Sequence, residues 1–279
     1  MFERFHRSWE LTKQSAGILA ENKSLMMFPI LSALATLTVI ASFFIPLAYS
    51  GGLQHINRQG NTQGYLLMFA FYFICYLIQI FFSCALMAAA NMAFCGGKAR
   101  ADVGLQMAWS RLPQIIFYSA IAATVGMILR TLEERVGLLG RLVIALTGAA
   151  WSIMTYFIAP VIVFEGLGAF DGVQRSTEIV KKTWGEEVGK GVTWFGITLL
   201  GTLAGVVATI ALITVNSWAG VAFGLIYFLL MITVISTLDG IFKVALYRYA
   251  IWNVVPDGYS AELLQGALLV KEKKSWFGR

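Results

Sequence analysis

A chain of 279 residues that is 58% apolar and only 13% charged cannot cover itself with a water-facing surface, since soluble domains carry about 25% charged residues. This excludes a soluble globular protein and leaves one whose surface faces lipid. The net charge of +6 does not point to nucleic acid, because the lysines and arginines stand at the ends of apolar runs, where membrane topology puts them.

The fold class expected is an all-α polytopic membrane bundle of about six transmembrane helices. Residues 1–24 come first. Phe2, Phe5, Trp9, Ala16 and Leu19 follow helical spacing, and Arg4, Arg7, Glu10 and Lys13 lie largely off that stripe. Such a helix can lie in the interface with its aromatics in the headgroup boundary, or pack on its own bundle. The apolar run after it is longer than the apolar core of a signal peptide, and the charged segment before it is too long for the usual flank, so no cleavable signal is expected.

Runs long enough to cross a bilayer, at about 20 residues each, are expected at 25–49, 65–94, 115–132, 142–164, 192–215 and 218–252, within a transmembrane domain of 25–252. The sixth would be roughly 50 Å long as one helix, against a hydrocarbon core of about 30 Å. It therefore either projects from the membrane or bends near Gly240. Cys75, Cys84 and Cys95 fall in or beside the second run. Their spacing matches no zinc or redox pattern, so they read as small buried hydrophobes.

Basic residues set the orientation. Arg4, Arg7, Lys13 and Lys23 precede the first span, and only Arg58 follows it. Lys98, Arg100 and Arg111 follow the second, and Arg175, Lys181, Lys182 and Lys190 the fourth. The turn at Asn216 carries none, and the segment 253–279 carries Lys271, Lys273, Lys274 and Arg279. This alternation places both ends in the cytoplasm. The loop with Arg130, Arg135 and Arg141, diluted by Glu133 and Glu134, is the one dissenting segment.

The fourth loop is amphipathic too, with Phe170, Val173, Thr177, Val180 and Trp184 on one stripe. Asp171 near its start and Lys181 and Lys182 near its end suit a helix dipole. Asp102-Val-Gly-Leu-Gln, Asp171-Gly-Val-Gln and Ser260-Ala-Glu-Leu-Leu-Gln each follow an even-numbered span. Three helical hairpins, each followed by a cytoplasmic helix, would explain that recurrence, as would chance.

Ionisable residues in or beside spans carry the functional interest, because charge in a membrane is costly. Glu165, Asp239, Lys243 and Arg248 all fall near the expected cytoplasmic boundary, with Lys243 one helical turn after Asp239 and able to pair with it. The cluster reads as a helix-end network or as an ion or headgroup site between the fourth and sixth spans. Lys181, Lys182 and Trp184, with Trp9, suit anionic headgroups or a partner's surface. Gly201, Gly205, Gly220 and Gly224 form two small-residue pairs that let helices approach closely, within the chain or in a dimer. No zinc-protease or hydrolase-elbow motif occurs, and His6 and His55 fall on opposite expected sides. No catalytic residue, metal site or cofactor is therefore expected.

Several segments carry a resemblance: Phe2-Glu-Arg-Phe-His-Arg-Ser-Trp-Glu-Leu-Thr-Lys, Phe28-Pro-Ile-Leu-Ser, Ala159-Pro-Val-Ile-Val-Phe-Glu165, Arg175-Ser176, Lys181-Lys-Thr-Trp-Gly185 and Tyr247-Arg-Tyr-Ala250. In combination, and along essentially the whole chain, they resemble a family of uncharacterised prokaryotic six-span membrane proteins known only as a domain of unknown function. The resemblance implies a six-span fold and a bacterial inner-membrane location, and it implies no activity. The residues themselves leave two functions: a non-catalytic scaffold or accessory subunit with lipid, protein or self partners, and a channel or transporter for a small solute, ion or lipid. The topology is testable in a background lacking the native cysteines. Asn216→Cys should react with an impermeant thiol reagent from outside the cell, and Gly185→Cys only after permeabilisation; the reverse pattern would overturn the orientation.

Overall fold

The computed structural model describes residues 2–49, 62–184, 193–262 and 264, and among these only helices and their connections occur. Helix α1 (Phe2–Glu21) passes through a 3-10 turn (Lys23–Met26) into α2 (Met27–Tyr49). Then come α3 (Thr62–Ala93), α4 (Ala101–Ser110), α5 (Leu112–Glu133) and α6 (Leu138–Met154). A short helical turn (Ile158–Pro160) and a π-turn (Val161–Glu165) lead to α7 (Ala169–Trp184), α8 (Thr193–Val215), α9 (Ser217–Tyr247) and a last π-turn (Arg248–Trp252). Six helical segments among the described residues are long and apolar enough to cross a membrane: Lys23–Pro46, Gly64–Ala93, Leu112–Glu133, Leu138–Glu165, Thr198–Val215 and Ser217–Trp252. The protein is a multi-pass all-α membrane bundle.

Local sequence explains the breaks. Pro113 stands in the first turn of α5, where its missing N–H costs nothing. The fourth span is interrupted after Met154 because Pro160 cannot donate to the carbonyl one turn before it. The interruption leaves the Phe157 N–H outside the regular ladder, and it donates instead to the buried Ser176 hydroxyl of α7 at 3.0 Å. Asn216 makes the whole turn between α8 and α9, its side chain accepting from the Ala219 N–H at 3.1 Å as an N-cap.

Packing is concentrated at the end of the bundle that holds α1, α4 and α7. Leu25, Phe28, residues 84–90, Ile115, Tyr118, residues 157–163, Leu238, Ile241 and Val244 are all buried there. The opposite halves of the spans expose Leu34, Leu66, Leu142, Leu203 and Leu225, the surface a bilayer would cover. Helix length is the cause. With 32 and 31 residues, α3 and α9 reach roughly 45–50 Å, well beyond a core of about 30 Å. Their ends leave the spanning layer and gather α1, α4 and α7 around them. Of the two ways to fit the sixth run, the bend does not occur: α9 is unbroken through Gly240. That glycine instead lets α9 lie against α3, for a Cβ there would stand 2.4 Å from Leu86 Cδ2.

Both amphipathic helices bury a face on the bundle. α1 covers Leu11, Ser15, Ile18 and Leu19 and leaves Trp9 44% exposed; the side chains of Phe2 and Phe5 lie outside the described residues. Ser15 and Tyr259 hydroxyls meet at 2.5 Å, and Tyr259 stands edge-on to Phe94. Burial raises the Tyr259 hydroxyl above its ordinary range, with the Ser15 bond opposing the shift. Asn22 accepts from the Ala99 N–H and Ser24 donates to the Ala99 carbonyl, both at 2.9 Å, stapling the α3–α4 loop to the α1–α2 junction. In α7 the buried residues are Ala169, Gly172, Ser176, Ile179, Val180 and Thr183, about one position round from the stripe expected. Phe170 is 80% exposed, because the face that packs is chosen by small residues able to approach the interrupted fourth span rather than by the largest aromatic.

The dissenting loop belongs to a short hairpin. A Gly126 Cβ would stand 3.4 Å from the Tyr76 hydroxyl, and Arg130 Nη1 donates to the Tyr72 hydroxyl at 2.5 Å. This antiparallel register sets Glu133 level with about Phe69, so α5 ends roughly two turns short of the Thr62 end of α3. Arg130 also bonds Glu134, so its charge is held on the bundle. Of the repeated segments, the first two form helices, α4 and α7, after the second and fourth spans, and both pack on the bundle. In the third the Leu264 N–H bonds the Ser260 carbonyl; residues 263 and 265–279, like Arg58 and Gly185, lie outside the described ones.

α4 folds back along α3, and Gly104 makes that possible: a Cβ there would stand 2.5 Å from the Ala85 carbonyl oxygen and 2.9 Å from Phe28 Cζ. Gly104→Ala should therefore destabilise by about 1–3 kcal/mol, read as a lowered unfolding temperature in detergent. Gly17→Ala, in a helix with nothing within 4 Å, should be neutral or slightly stabilising.

Candidate functional site

The packed end carries the polar network. Glu165 closes the π-turn of the fourth span, and Gly166 reverses the chain with φ of 68°, a conformation that suits glycine. The Gly166 N–H returns to the Val161 and Ile162 carbonyls at 3.2 Å. A Cβ on Gly166 would stand 2.5 Å from Arg111 Nη1, so the glycine also admits that guanidinium beside the turn.

The reversal brings α7 back over Glu165. Arg175 Nε donates to both carboxylate oxygens, at 2.9 and 3.1 Å, and the Tyr247 hydroxyl of α9 donates to Oε1 at 2.6 Å. Arg175 also reaches Glu178 at 3.5 Å. Burial works against the charge of Arg175, but its bonds to Glu165 hold its pKa above the ordinary arginine value. Phe164, Tyr247 and Trp252 enclose this group, with ring centroids 5.4–5.7 Å apart. One carboxylate thereby joins the end of the fourth span, α7 and the end of the sixth.

Asp239 and Lys243 form a separate pair at 2.7 Å across one turn of α9. The Lys243 ammonium stands 4.6 Å from the Tyr156 ring centroid, a cation–π contact that adds to the ion pair. Arg248 forms a third group. Its Nη1 donates to Asn91 Oδ1 at 2.6 Å and contacts Cys95 Sγ at 3.3 Å, and its guanidinium stands 5.4 Å from the Trp252 ring centroid. The four residues singled out from sequence thus lie at one end of the bundle but in three separate pairings. Arg175, Tyr247, Asn91 and Cys95 complete them. The only sequence signal for the first was the reversal Gly166-Leu-Gly168 between Glu165 and a helix bearing a basic residue.

Lys181 and Lys182 are exposed on the last turn of α7, and Lys182 Nζ reaches the Ala250 carbonyl at 3.4 Å. The Trp184 side chain lies outside the described residues. Trp9 is partly covered by the Lys13 ammonium, 5.9 Å from its ring centroid. Gly201, Gly205, Gly220 and Gly224 all lie between α8 and α9. Cβ atoms there would meet Met231, Tyr227, Ile213 and Thr209 respectively, and the Tyr227 hydroxyl donates to the Gly201 carbonyl at 2.9 Å. The cysteines differ from one another: Cys84 is buried and Cys75 half-buried, but Cys95 is exposed. Cys95 therefore departs from its reading as a buried hydrophobe, because it lies at the frayed end of α3 beside the Gly96-Gly97 turn. Among the described residues no three His, Cys, Asp or Glu side chains are grouped to hold a metal.

The sequence model of a family of unknown function (DUF6159) matches residues 62–255. The match contains every residue of the three pairings and leaves α1 and α2 outside it, with the opening segments at 2–13 and 28–32. No curated protein and no solved structure matches the chain.

Removing Lys243 leaves Asp239 without its cation at the packed end. Lys243→Ala should lower stability by about 1–3 kcal/mol, measured as thermal unfolding in detergent. Arg100→Ala, which breaks the exposed pair with Asp102, should leave the unfolding temperature essentially unchanged.

Proposed function

The chain belongs to DUF6159, a family of unknown function, and we propose that it is a non-catalytic scaffold or accessory subunit of a membrane assembly, set in the bacterial cytoplasmic membrane with both ends in the cytoplasm. One observation carries the reading. Glu165 and Asp239, the carboxylates at the packed end of the fourth and sixth spans, are each engaged by a cation of the same chain. A carrier keeps its ionisable groups near the bilayer midplane, where substrate and coupling ions displace one another. Here those groups sit at one end, where Glu165 joins separate helices and Asp239 pairs within α9.

The orientation follows from the basic residues at that end. Lys98, Arg100, Arg111, Arg175, Lys181 and Lys182 all belong to α4, α7 and their connections, and the positive-inside rule assigns such a face to the cytoplasm. The docked α1, α4 and α7 then form a cytoplasmic platform. Exposed Trp9, Trp109 and Phe170 reach the headgroup level from it, and Lys181 and Lys182 attract anionic lipid or an acidic partner. The four glycines of α8 and α9 are filled by the chain itself, so a homo-oligomer would use another face. A channel or transporter for a small solute, ion or lipid is the second reading. The observation favouring it is Arg248, whose charge no carboxylate among the described residues balances.

The test is the native mass of the gently extracted protein, with co-purifying proteins and lipids identified. A scaffold or accessory subunit should bring a stoichiometric second protein. A bare homo-oligomer that conducts solute or moves lipid in proteoliposomes would overturn the reading in favour of a pore or transporter.

A further inference from the structure

Arg248 is the buried cation that the ion-pair network leaves out. It is 9% exposed, and a guanidinium withdrawn from water is normally matched by a carboxylate or another anion, since its desolvation costs several kcal/mol. Its surroundings are neutral: the Asn91 amide oxygen, the Cys95 sulfur and the face of Trp252. Among the described residues no carboxylate lies within ion-pair distance of it. Glu165 is taken by Arg175 and Tyr247, and Asp239 by Lys243. All the side-chain bonds that Arg248 makes leave from Nη1. Nε is buried with no hydrogen-bond partner, and among the described residues no bond leaves from Nη2, so neither donor of the Nε–Nη2 edge is used. That is one of the two edges with which arginine grips a phosphate or carboxylate through parallel N–H bonds.

The setting suits an anion arriving from the membrane interface. Arg248 opens the π-turn that follows α9, at the packed end. The chain beside it leaves α3 through exposed Cys95, Gly96 and Gly97, and a Cβ on Gly96 would meet nothing within 4 Å. A second cation reaches the same π-turn, for Lys182 Nζ bonds the carbonyl of Ala250. The aromatic ring of Trp252 closes one side and suits headgroup depth.

We propose that Arg248, positioned by Asn91 and Trp252, is a binding site for a phosphate-bearing anion at the packed end of the bundle, supplied by the headgroup of an anionic phospholipid or by free phosphate. The site is independent of the scaffold reading, which rests on the other two pairings.

The full-length protein is reconstituted in nanodiscs of phosphatidylcholine with or without phosphatidylglycerol, and lipids retained on release are identified by native mass spectrometry. Thermal unfolding in neutral detergent is followed with and without inorganic phosphate. The wild type should retain phosphatidylglycerol over phosphatidylcholine by roughly tenfold or more, the factor that about 1.4 kcal/mol supplies. Arg248→Gln should abolish that preference. Arg248→Lys, which keeps the charge but loses the two-donor edge, should reduce it severalfold. Stabilisation by inorganic phosphate equal to that by phosphatidylglycerol assigns the site to a free anion, and stabilisation by the lipid alone assigns it to a headgroup. A wild type with neither lipid preference nor phosphate response overturns the proposal, and so does an Arg248→Lys protein with the full wild-type preference. These wild-type and lysine measurements decide the matter even if Arg248→Gln does not fold.

Discussion

A carboxylate at the end of a membrane span must find a cation or lose its charge, and the way Glu165 does so organises this molecule. Its partner comes from α7, a helix outside the spanning layer, and its second donor from Tyr247 at the end of α9. To deliver Arg175 the chain must reverse at once, which Gly166 allows. It must then lie flat against the interrupted fourth span, which Gly172 and Ser176 allow. Ser176 in turn accepts the Phe157 N–H left over by the interruption. One ionic contact and one backbone bond thus settle where α7 sits, and with it the platform at that end.

The other half of the platform is built without charge. α3 and α9 are too long for a bilayer, and their surplus turns meet where Gly240 faces Leu86. α4 closes back onto α3 at Gly104, and α1 is held by Ser15 on Tyr259 and by the Asn22 and Ser24 bonds to Ala99. The far halves of the spans pack pairwise, as at the α8–α9 glycines, and expose leucines, isoleucines and phenylalanines, the surface a bilayer would cover. This division between a packed end and apolar spans supports the scaffold proposal. Within the packed end, Arg248 is the buried guanidinium that no carboxylate among the described residues pairs.

Much of this architecture was legible in the sequence because apolar runs, prolines and basic residues act locally. The six spans, the helical ends after the second and fourth, and the Asp239–Lys243 pair all follow from spacing along one helix. What was not legible depends on contacts between helices. Spacing alone set Phe170 on the packed face of α7, but approach to the fourth span selected Gly172 and Ser176 instead. Gly240 suggested a bend, and only the neighbouring α3 shows that it serves close approach. Cys95 looked like its buried relatives until the turn at Gly96 placed it outside. Nothing in a single sequence says that Glu165 will meet Arg175 and Tyr247 rather than Lys243, since that choice is made by the chain reversal between them.

The most direct test is therefore a charge exchange at that contact. Glu165→Arg and Arg175→Glu are made singly and together, and each protein is extracted and followed by size-exclusion chromatography and thermal unfolding. If the pair holds the platform for its own sake, each single reversal should yield a heterogeneous or strongly destabilised protein, and the double exchange should recover much of the lost stability. Single variants as stable and monodisperse as the wild type would contradict the account, because Glu165 and Arg175 would then be free to serve something other than the fold.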